Sequence, residues 1–337
     1  MTKRLLTTMW FVVFAAGVLL IFLLNVGVGS ANITVSEIVR IMAGRIEKTE
    51  TRALIIQRIR LPRALASLCG GASLAIAGLL MQTYFGNPIV EPYILGISSG
   101  SSLFVGLVML GGVTFGMKTV TPMFMFAGAF TGALVIMAII LLASTRVRST
   151  VTLLIIGLMA GYVCGAATSL LAAFAERDRL AHFSMWNMGS FAGFTWQHIH
   201  ILYGITAPSL LASFLMVKPL NALNMGDQYA ASMGVNVRTT RYLIIFVASV
   251  LTAAVTAFAG PVSFVGLAVP HICRIVFRTS DNRILAPGAL LGGAFMAALC
   301  DFAARNIMPP VDLPLGAITA IIGAPIVVFL LTRKEKI

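Results

Sequence analysis

The side chains that could do chemistry in this sequence are few, and their spacing limits what they could do. Asp301 stands four residues before Arg305, so on a helix the two would face each other as an ion pair rather than form a proton relay. His198 and His200 could touch a metal or haem iron, but residues two apart on a helix point to different faces. We therefore predict an ion pair, two histidines at the membrane interface and no metal site.

Two signatures of enzymes that bind nucleotides or zinc do not occur in the sequence. It has no Gly-x-x-x-x-Gly-Lys-Ser/Thr phosphate loop and no His-Glu-x-x-His motif. Its four cysteines stand singly in apolar runs, which is typical of small buried hydrophobic residues. We predict that the chain is not an enzyme and carries no cofactor, and that, if the protein uses ATP, another chain binds it.

Composition decides the fold class. Of the 337 residues, 59% are hydrophobic and only 10% are charged, and the apolar residues form long runs, which excludes a soluble globular protein. The pattern predicts an all-α, polytopic membrane protein with about ten transmembrane helices in a single domain, 1–337. The net charge of +13 is spread over connecting segments, so we expect contacts with lipid headgroups and none with nucleic acid.

An even number of spans places both termini on one side of the membrane, which we take as cytoplasmic. With that orientation 13 Lys and Arg lie inside and 11 outside, and seven of the outer ones fall between Arg40 and Arg63. A basic outer cluster that breaks the positive-inside rule needs a functional reason. The predicted spans are 9–29, 62–81, 93–113, 121–143, 150–174, 198–217, 241–260, 262–278, 285–304 and 313–331.

Two connections are too long to be plain turns. The outer segment 30–61 contains a predicted short amphipathic helix near 35–42. The inner segment 218–240 is divided by Pro219 and two glycines into two short helical pieces with several apolar side chains. A structured, half-apolar inner segment indicates a docking surface for another protein.

Helix-breaking residues interrupt the apolar regions at 86–92 and at Gly260-Pro261. Broken backbone at membrane depth persists only inside protein or beside a water-filled cavity, so we expect these segments to be enclosed or to border a pathway. Glycines at every fourth position in 157–165 predict close packing of helices.

Several motifs resemble one family, the permease subunits of type II ABC importers for iron-siderophores, haem and cobalamin, known as the FecCD family. The series begins at Arg58-Ile-Arg-Leu-Pro-Arg63 and continues in family order towards the C-terminus. An ordered series of this kind is far more specific than any single motif. The matching stretches are 58–63, 71–82, 87–100, 220–235, 259–274 and 312–325.

The resemblance implies a multi-pass subunit of the cytoplasmic (inner) membrane that pairs with a second copy of the permease around a central pathway. Two ATPase subunits would bind inside and an extracytoplasmic substrate-binding protein outside. The implied cargo is a metal chelate, an iron-siderophore or haem, with cobalamin as the alternative. The alternative from another class is a secondary transporter driven by an ion gradient, which needs a mid-membrane carboxylate such as Glu91 or Asp301.

The resemblance also assigns site residues. The implied gate consists of two facing segments, Asn87, Pro88 and Ile89, and Ser149, Thr150 and Val151. The implied contacts with the binding protein are Arg60, Arg63 and Arg305. The implied coupling residues, which would seat in the ATPase, are Asn221, Leu223, Gly226, Ala230, Met233 and Gly234. Outward arginines could steer and orient a partner that carries matching carboxylates.

Overall fold

The computed structural model describes residues 3–29, 37, 40, 51–110, 121–147 and 149–334, and the regular secondary structure in this part of the chain is helical throughout. The longer helices are α1 (Lys3–Gly27), α2 (Thr51–Phe85), α3 (Ile97–Met109), α4 (Pro122–Arg146), α5 (Thr150–Ala173), α6 (Arg177–Asn187), α7 (Trp196–Leu215), α10 (Val237–Ala259), α11 (Val265–Phe277), α12 (Asn282–Asn306) and α13 (Leu315–Lys334). Two short helices, α8 (Val217–Leu223) and α9 (Asp227–Ser232), lie between α7 and α10.

The described helices match the ten predicted spans in number and order. Seven are long and apolar enough to cross a membrane, namely α1, α2, α4, α5, α7, α10 and α12. The other three predicted spans correspond to the shorter apolar helices α3, α11 and α13. The all-helical, polytopic fold class is therefore confirmed.

The largest boundary difference from the sequence prediction, among the described helices, is at the start of the second span. The second span was predicted to start at residue 62, but α2 begins at Thr51 and passes through a π-helical stretch, Ile55–Arg60. Ala53 and Ile56 of this extension are fully buried, which explains why a segment rich in arginine is helical. The extension occupies the end of the predicted outer segment 30–61; most of the predicted helix near 35–42 lies outside the described residues.

The centre of the bundle is formed by α2, α10 and α12, which are mostly buried, whereas α1, α5 and α7 are mostly exposed. Glycines let the central helices touch backbone to backbone. A methyl group at Gly78 would lie 1.8 Å from the carbonyl oxygen of Gly266 in α11, and one at Gly71 would lie 2.1 Å from that of Gly293 in α12. These crossings leave no room for any side chain larger than hydrogen.

The two interrupted segments bind each other inside the bundle. After α2 the chain turns at Gly86 and forms one 3-10 turn, Pro92–Leu95, before α3. The backbone N–H of Val262 donates to the Tyr93 hydroxyl at 2.8 Å, and that of Phe264 donates to Oε2 of Glu91 at 3.2 Å. The backbone groups freed by the breaks are thus satisfied by protein, as the sequence analysis predicted.

Candidate functional site

Two clusters of charged side chains lie at opposite ends of α2. Arg63 lies just after the π-helical stretch of α2 and Tyr84 lies near the end of the helix, so about 30 Å separates them along the helix axis. We call the end with Arg60, Arg63 and Arg305 the arginine end and the end with α8 and α9 the short-helix end. The sequence motifs assigned to docking fall on the first, and those assigned to coupling fall on the second.

At the short-helix end, α8, α9 and the turn between them form a unit that we call the platform. It is hydrogen-bonded to the segment before α12. Nδ2 of Asn221 donates to Oδ1 of Asp281 at 2.6 Å, and the backbone N–H of Asn282 donates to Oδ1 of Asn221 at 2.8 Å. Gly226 and Gly234 take positive φ values of 102° and 81°, which suit glycine at the two ends of α9. The two short helices predicted from the segment 218–240 are confirmed.

The platform exposes apolar side chains on one side and buries small ones on the other. Met225, Tyr229 and Met233 are exposed, whereas Ala230 is fully buried and Leu223 half-buried. We call Met225, Tyr229 and Met233 the apolar patch. Adjacent exposed methionine and tyrosine side chains are typical of a surface that another protein covers.

An ion pair connects the platform to the end of α2. Nη2 of Arg241 lies 2.8 Å from Oδ2 of Asp227, the first residue of α9. The guanidinium carbon of Arg241 also lies 5.4 Å from the centre of the Tyr84 ring, a cation–π contact. Sequence reasoning missed all three residues, because they come from separate helices and no spacing within one helix relates them.

The first implied gate segment, Asn87 to Ile89, follows Tyr84 directly. Gly86 ends α2 with a φ of 59°, and the side-chain oxygen of Asn87 accepts a hydrogen bond from the backbone N–H of Ile89 at 3.0 Å. This bond closes a tight turn that leaves the Ile89 side chain exposed. Pro88 lies in the turn between them.

The second implied gate segment begins α5. Ser149 caps this helix, accepting from the backbone N–H of Thr152 at 3.3 Å, and Val151 is exposed. Ser149 and Thr150 line a cleft of about 500 Å³ together with Tyr84, Asp227 and Arg241. The structure thus brings this gate segment together with the platform, whereas Asn87, Pro88 and Ile89 are not among the residues that line the cleft.

At the arginine end, two arginines hold the end of α1. Nη1 of Arg60 donates to the carbonyl oxygens of Val26 at 3.0 Å and Gly27 at 2.8 Å. Nη2 of Arg305 donates to both the carbonyl and the side-chain oxygen of Asn25, at 2.6 and 2.9 Å. The last carbonyls of a helix lack partners within it and carry partial negative charge, so they are natural acceptors for these cations.

The predicted ion pair between Asp301 and Arg305 is wrong. Asp301 instead accepts from Nε of Arg63 at 3.0 and 3.1 Å, while Nη1 of Arg63 donates to Oδ2 of Asp312 at 2.8 Å. The reason is helix packing: α2 runs beside α12, so Arg63 reaches Asp301 from the neighbouring helix. Arg305 instead donates its hydrogen bonds to Asn25 near the end of α1.

All three implied docking arginines line one pocket of about 450 Å³, together with Asp312 and Asn306. Three guanidinium groups and one exposed carboxylate therefore border the same cavity. The structure brings the predicted residues together, although Arg60 is buried and each of the three already bonds within the chain.

The histidines of α7 have structural partners. The His198 backbone N–H donates to the Thr195 hydroxyl, and Nδ1 of His198 faces the Thr195 backbone N–H, a capping arrangement that starts the helix. Among the described residues, no group of three or more His, Cys, Asp or Glu side chains could hold a metal ion.

Comparisons with known proteins agree with this architecture. The model of the FecCD transport family matches residues 17–333. The hemin transport system permease protein HmuU of Yersinia pestis is 33% identical over 95% of this chain and 96% of its own length. The vitamin B12 import system permease protein BtuC of Yersinia enterocolitica is 35% identical over 86% of this chain and 85% of its own length.

Among solved structures, one described as an inward-facing conformation of a metal-chelate type ABC transporter is similar, with a TM-score of 0.85 and 26% identity. The similarity covers 96% of this chain and 98% of that one. The family match and the identities extend over the platform, both implied gate segments and the arginine end. This chain therefore belongs to the FecCD transport family.

Proposed function

We propose that this chain is the permease subunit of an ATP-driven importer that carries a metal chelate, an iron-siderophore or haem, across the cytoplasmic membrane. Two copies would assemble around a central pathway, with an ATPase subunit on each. One observation carries the proposal: Asp227 of the platform, its ion-pair partner Arg241 and the gate segment at the start of α5 border the same cleft. The family membership supports the same class.

The proposed orientation puts both termini and the short-helix end in the cytoplasm. There the apolar patch would seat in the ATPase, the site of ATP and Mg binding. Asn221, Leu223, Gly226, Ala230, Met233 and Gly234 shape the platform that presents the patch. Closure of the ATPase pair would push the platform, and the ion pair would pass the movement to Tyr84.

The two gate segments would respond to that movement. Tyr84 is followed closely by the turn at Asn87, Pro88 and Ile89. Ser149 and Thr150 line the same cleft as Tyr84, and Val151 follows them in the first turn of α5. A packed interface between helices has discrete arrangements, so a small shift of one helix can switch the interface from one arrangement to the other. The gate would therefore open or close as a unit with the platform.

The cargo is proposed from relatives. HmuU, named for hemin, aligns with nearly the whole chain, while BtuC, named for vitamin B12, aligns with somewhat less. We place an iron chelate, as haem or siderophore, first and cobalamin second. The exposed surface of α5 is largely apolar, so it offers few polar groups that could recognise one cargo. Selection among such cargoes would therefore take place mainly in the binding protein.

The test is reconstitution of the permease with its ATPase in liposomes, supplied with its substrate-binding protein. That protein is loaded in turn with haem, a ferric siderophore or cobalamin. We expect ATP-dependent uptake of one cargo and stimulated ATP hydrolysis. Uptake that follows an imposed proton or sodium gradient without ATP would overturn the proposal and direct attention to Glu91, because Asp301 is already paired with Arg63.

A further inference from the structure

The two carboxylates that hold Arg63 differ in their access to water. The Asp301 side chain is 1% exposed, whereas the Asp312 side chain is 41% exposed. Asp301 belongs to the central helix α12, while Asp312 lies in the irregular segment between α12 and α13. An ion pair that water can reach is weak and exchangeable, whereas a buried one is difficult to break.

The two carboxylates also occupy different edges of the guanidinium group. Asp301 accepts from Nε and lies 3.0 Å from Nη2, so it takes the inner edge in a bidentate contact. Asp312 accepts from Nη1 alone. Because a guanidinium carries five N–H donors, replacement of Asp312 by another carboxylate would leave the contact with Asp301 intact.

The Nη1 edge is also the edge that can be reached from outside. Arg63 and Asp312 line the same pocket as Arg60 and Arg305, and Asp301 is not among its lining residues. Asp312 therefore neutralises part of the positive charge of a pocket that would otherwise attract anions.

We propose that Asp312 is a positioning residue that occupies the docking edge of Arg63 until a carboxylate of the binding protein displaces it. Asp301 keeps the guanidinium in place throughout. Asp312 thus lowers the affinity of the empty pocket for acidic partners and releases the arginine only to a carboxylate that is placed correctly. This inference rests on the proposed function, because it presumes that a binding protein docks at the arginine end.

The test measures association of the transporter in nanodiscs with its substrate-binding protein. For Asp312→Asn we expect an affinity higher by about two- to fivefold, the size expected for an exposed ion pair. We also expect the on-rate to fall more steeply with salt, because the pocket gains net positive charge. Asp312→Glu, which restores the carboxylate, should return both values towards those of the wild type.

The matched control is Asp178→Asn. Asp178 is an exposed aspartate in the first turn of α6, outside the pocket, and its replacement changes the net charge by the same amount. An effect of Asp312→Asn no larger than that of Asp178→Asn would overturn the inference, as would a loss of affinity. The control Asp178→Asn should leave ATP hydrolysis in the absence of binding protein unchanged.

A further variant separates this inference from the proposed function. Arg63→Gln should weaken binding at least tenfold if the arginine end is the docking site. If Arg63→Gln weakens binding and Asp312→Asn does not strengthen it, only the role of Asp312 fails. If Arg63→Gln leaves the affinity unchanged, docking at this end fails, and the role of Asp312 fails with it.

Discussion

The arginine end and the short-helix end each contain an Arg–Asp pair, but the pairs are built differently. At the arginine end, Arg63 is 12% exposed and its partner Asp301 only 1%, and three arginines tie α2, α12 and the end of α1 together. At the short-helix end, Arg241 is 26% exposed and Asp227 51%. The first pair is part of the folded core, and the second can break without exposing a buried charge.

The difference indicates what each end can do. A preorganised set of partly buried cations presents one fixed geometry to a partner, which favours specific docking. An exposed pair between a short helix and a long one costs little to break, which suits an element that must move. We expect mutations at the arginine end to affect stability most and those at the short-helix end to affect coupling most.

The largest expected loss of stability follows Asp301→Asn. Removing the buried carboxylate leaves the Arg63 guanidinium with only the exposed carboxylate of Asp312, and we expect the free energy of unfolding to fall by about 3 kcal/mol. Thermal unfolding of the detergent-solubilised permease measures the effect. Asp227→Asn is the matched control, since it removes the corresponding exposed carboxylate. Equal melting temperatures for the two variants would contradict the comparison.

A smaller loss is expected for Arg305→Ala. This variant removes both hydrogen bonds to Asn25, so the end of α1 should loosen and the free energy of unfolding should fall by about 2 kcal/mol. Hydrogen exchange in α1 should rise while exchange in α10 stays unchanged. Arg283→Ala, at an exposed position at the start of α12, serves as the control. Unchanged protection of α1 would show that Arg305 does not anchor it.

Arg241→Ala should change stability by less than about 1 kcal/mol because its ion pair is exposed. Transport should nevertheless fall at least tenfold while ATP hydrolysis continues, since the link between Asp227 and Tyr84 is lost. The control is Arg238→Ala, which removes a neighbouring arginine that bonds Tyr242 instead. Equal transport by the two variants would count against a coupling role for Arg241.

The smallest effect on the permease itself is expected for Met233→Ser. The side chain is exposed, so the melting temperature of the isolated permease should stay the same. Binding of the ATPase should weaken about tenfold, because an apolar anchor of the apolar patch is lost. Co-purification and titration measure this. Met185→Ser, an exposed methionine of α6, should leave ATPase binding as it was.

The long apolar runs of the sequence were sufficient for the number and order of the spans, because runs of about 20 apolar residues cross a membrane as helices. The sequence was also sufficient for the platform, since Gly226 and Gly234 divide it. It failed for Asp301, because spacing within α12 suggested Arg305 and could not reveal that α2 lies alongside. The start of α2 was missed for a related reason: Arg58 and Arg60 resemble loop residues until the carbonyls of α1 are seen to accept from Arg60.

The glycine crossings at Gly71 and Gly78 have a consequence for how this protein can change its cargo. With a methyl group at Gly78 only 1.8 Å from the carbonyl oxygen of Gly266, even alanine requires the helices to separate. Selection experiments on cargo range should therefore recover few viable substitutions at these positions. Since selection among cargoes would reside mainly in the binding protein, adaptation to a new chelate should accumulate there, together with sterically tolerated changes on the exposed face of α5, while the glycines stay unchanged.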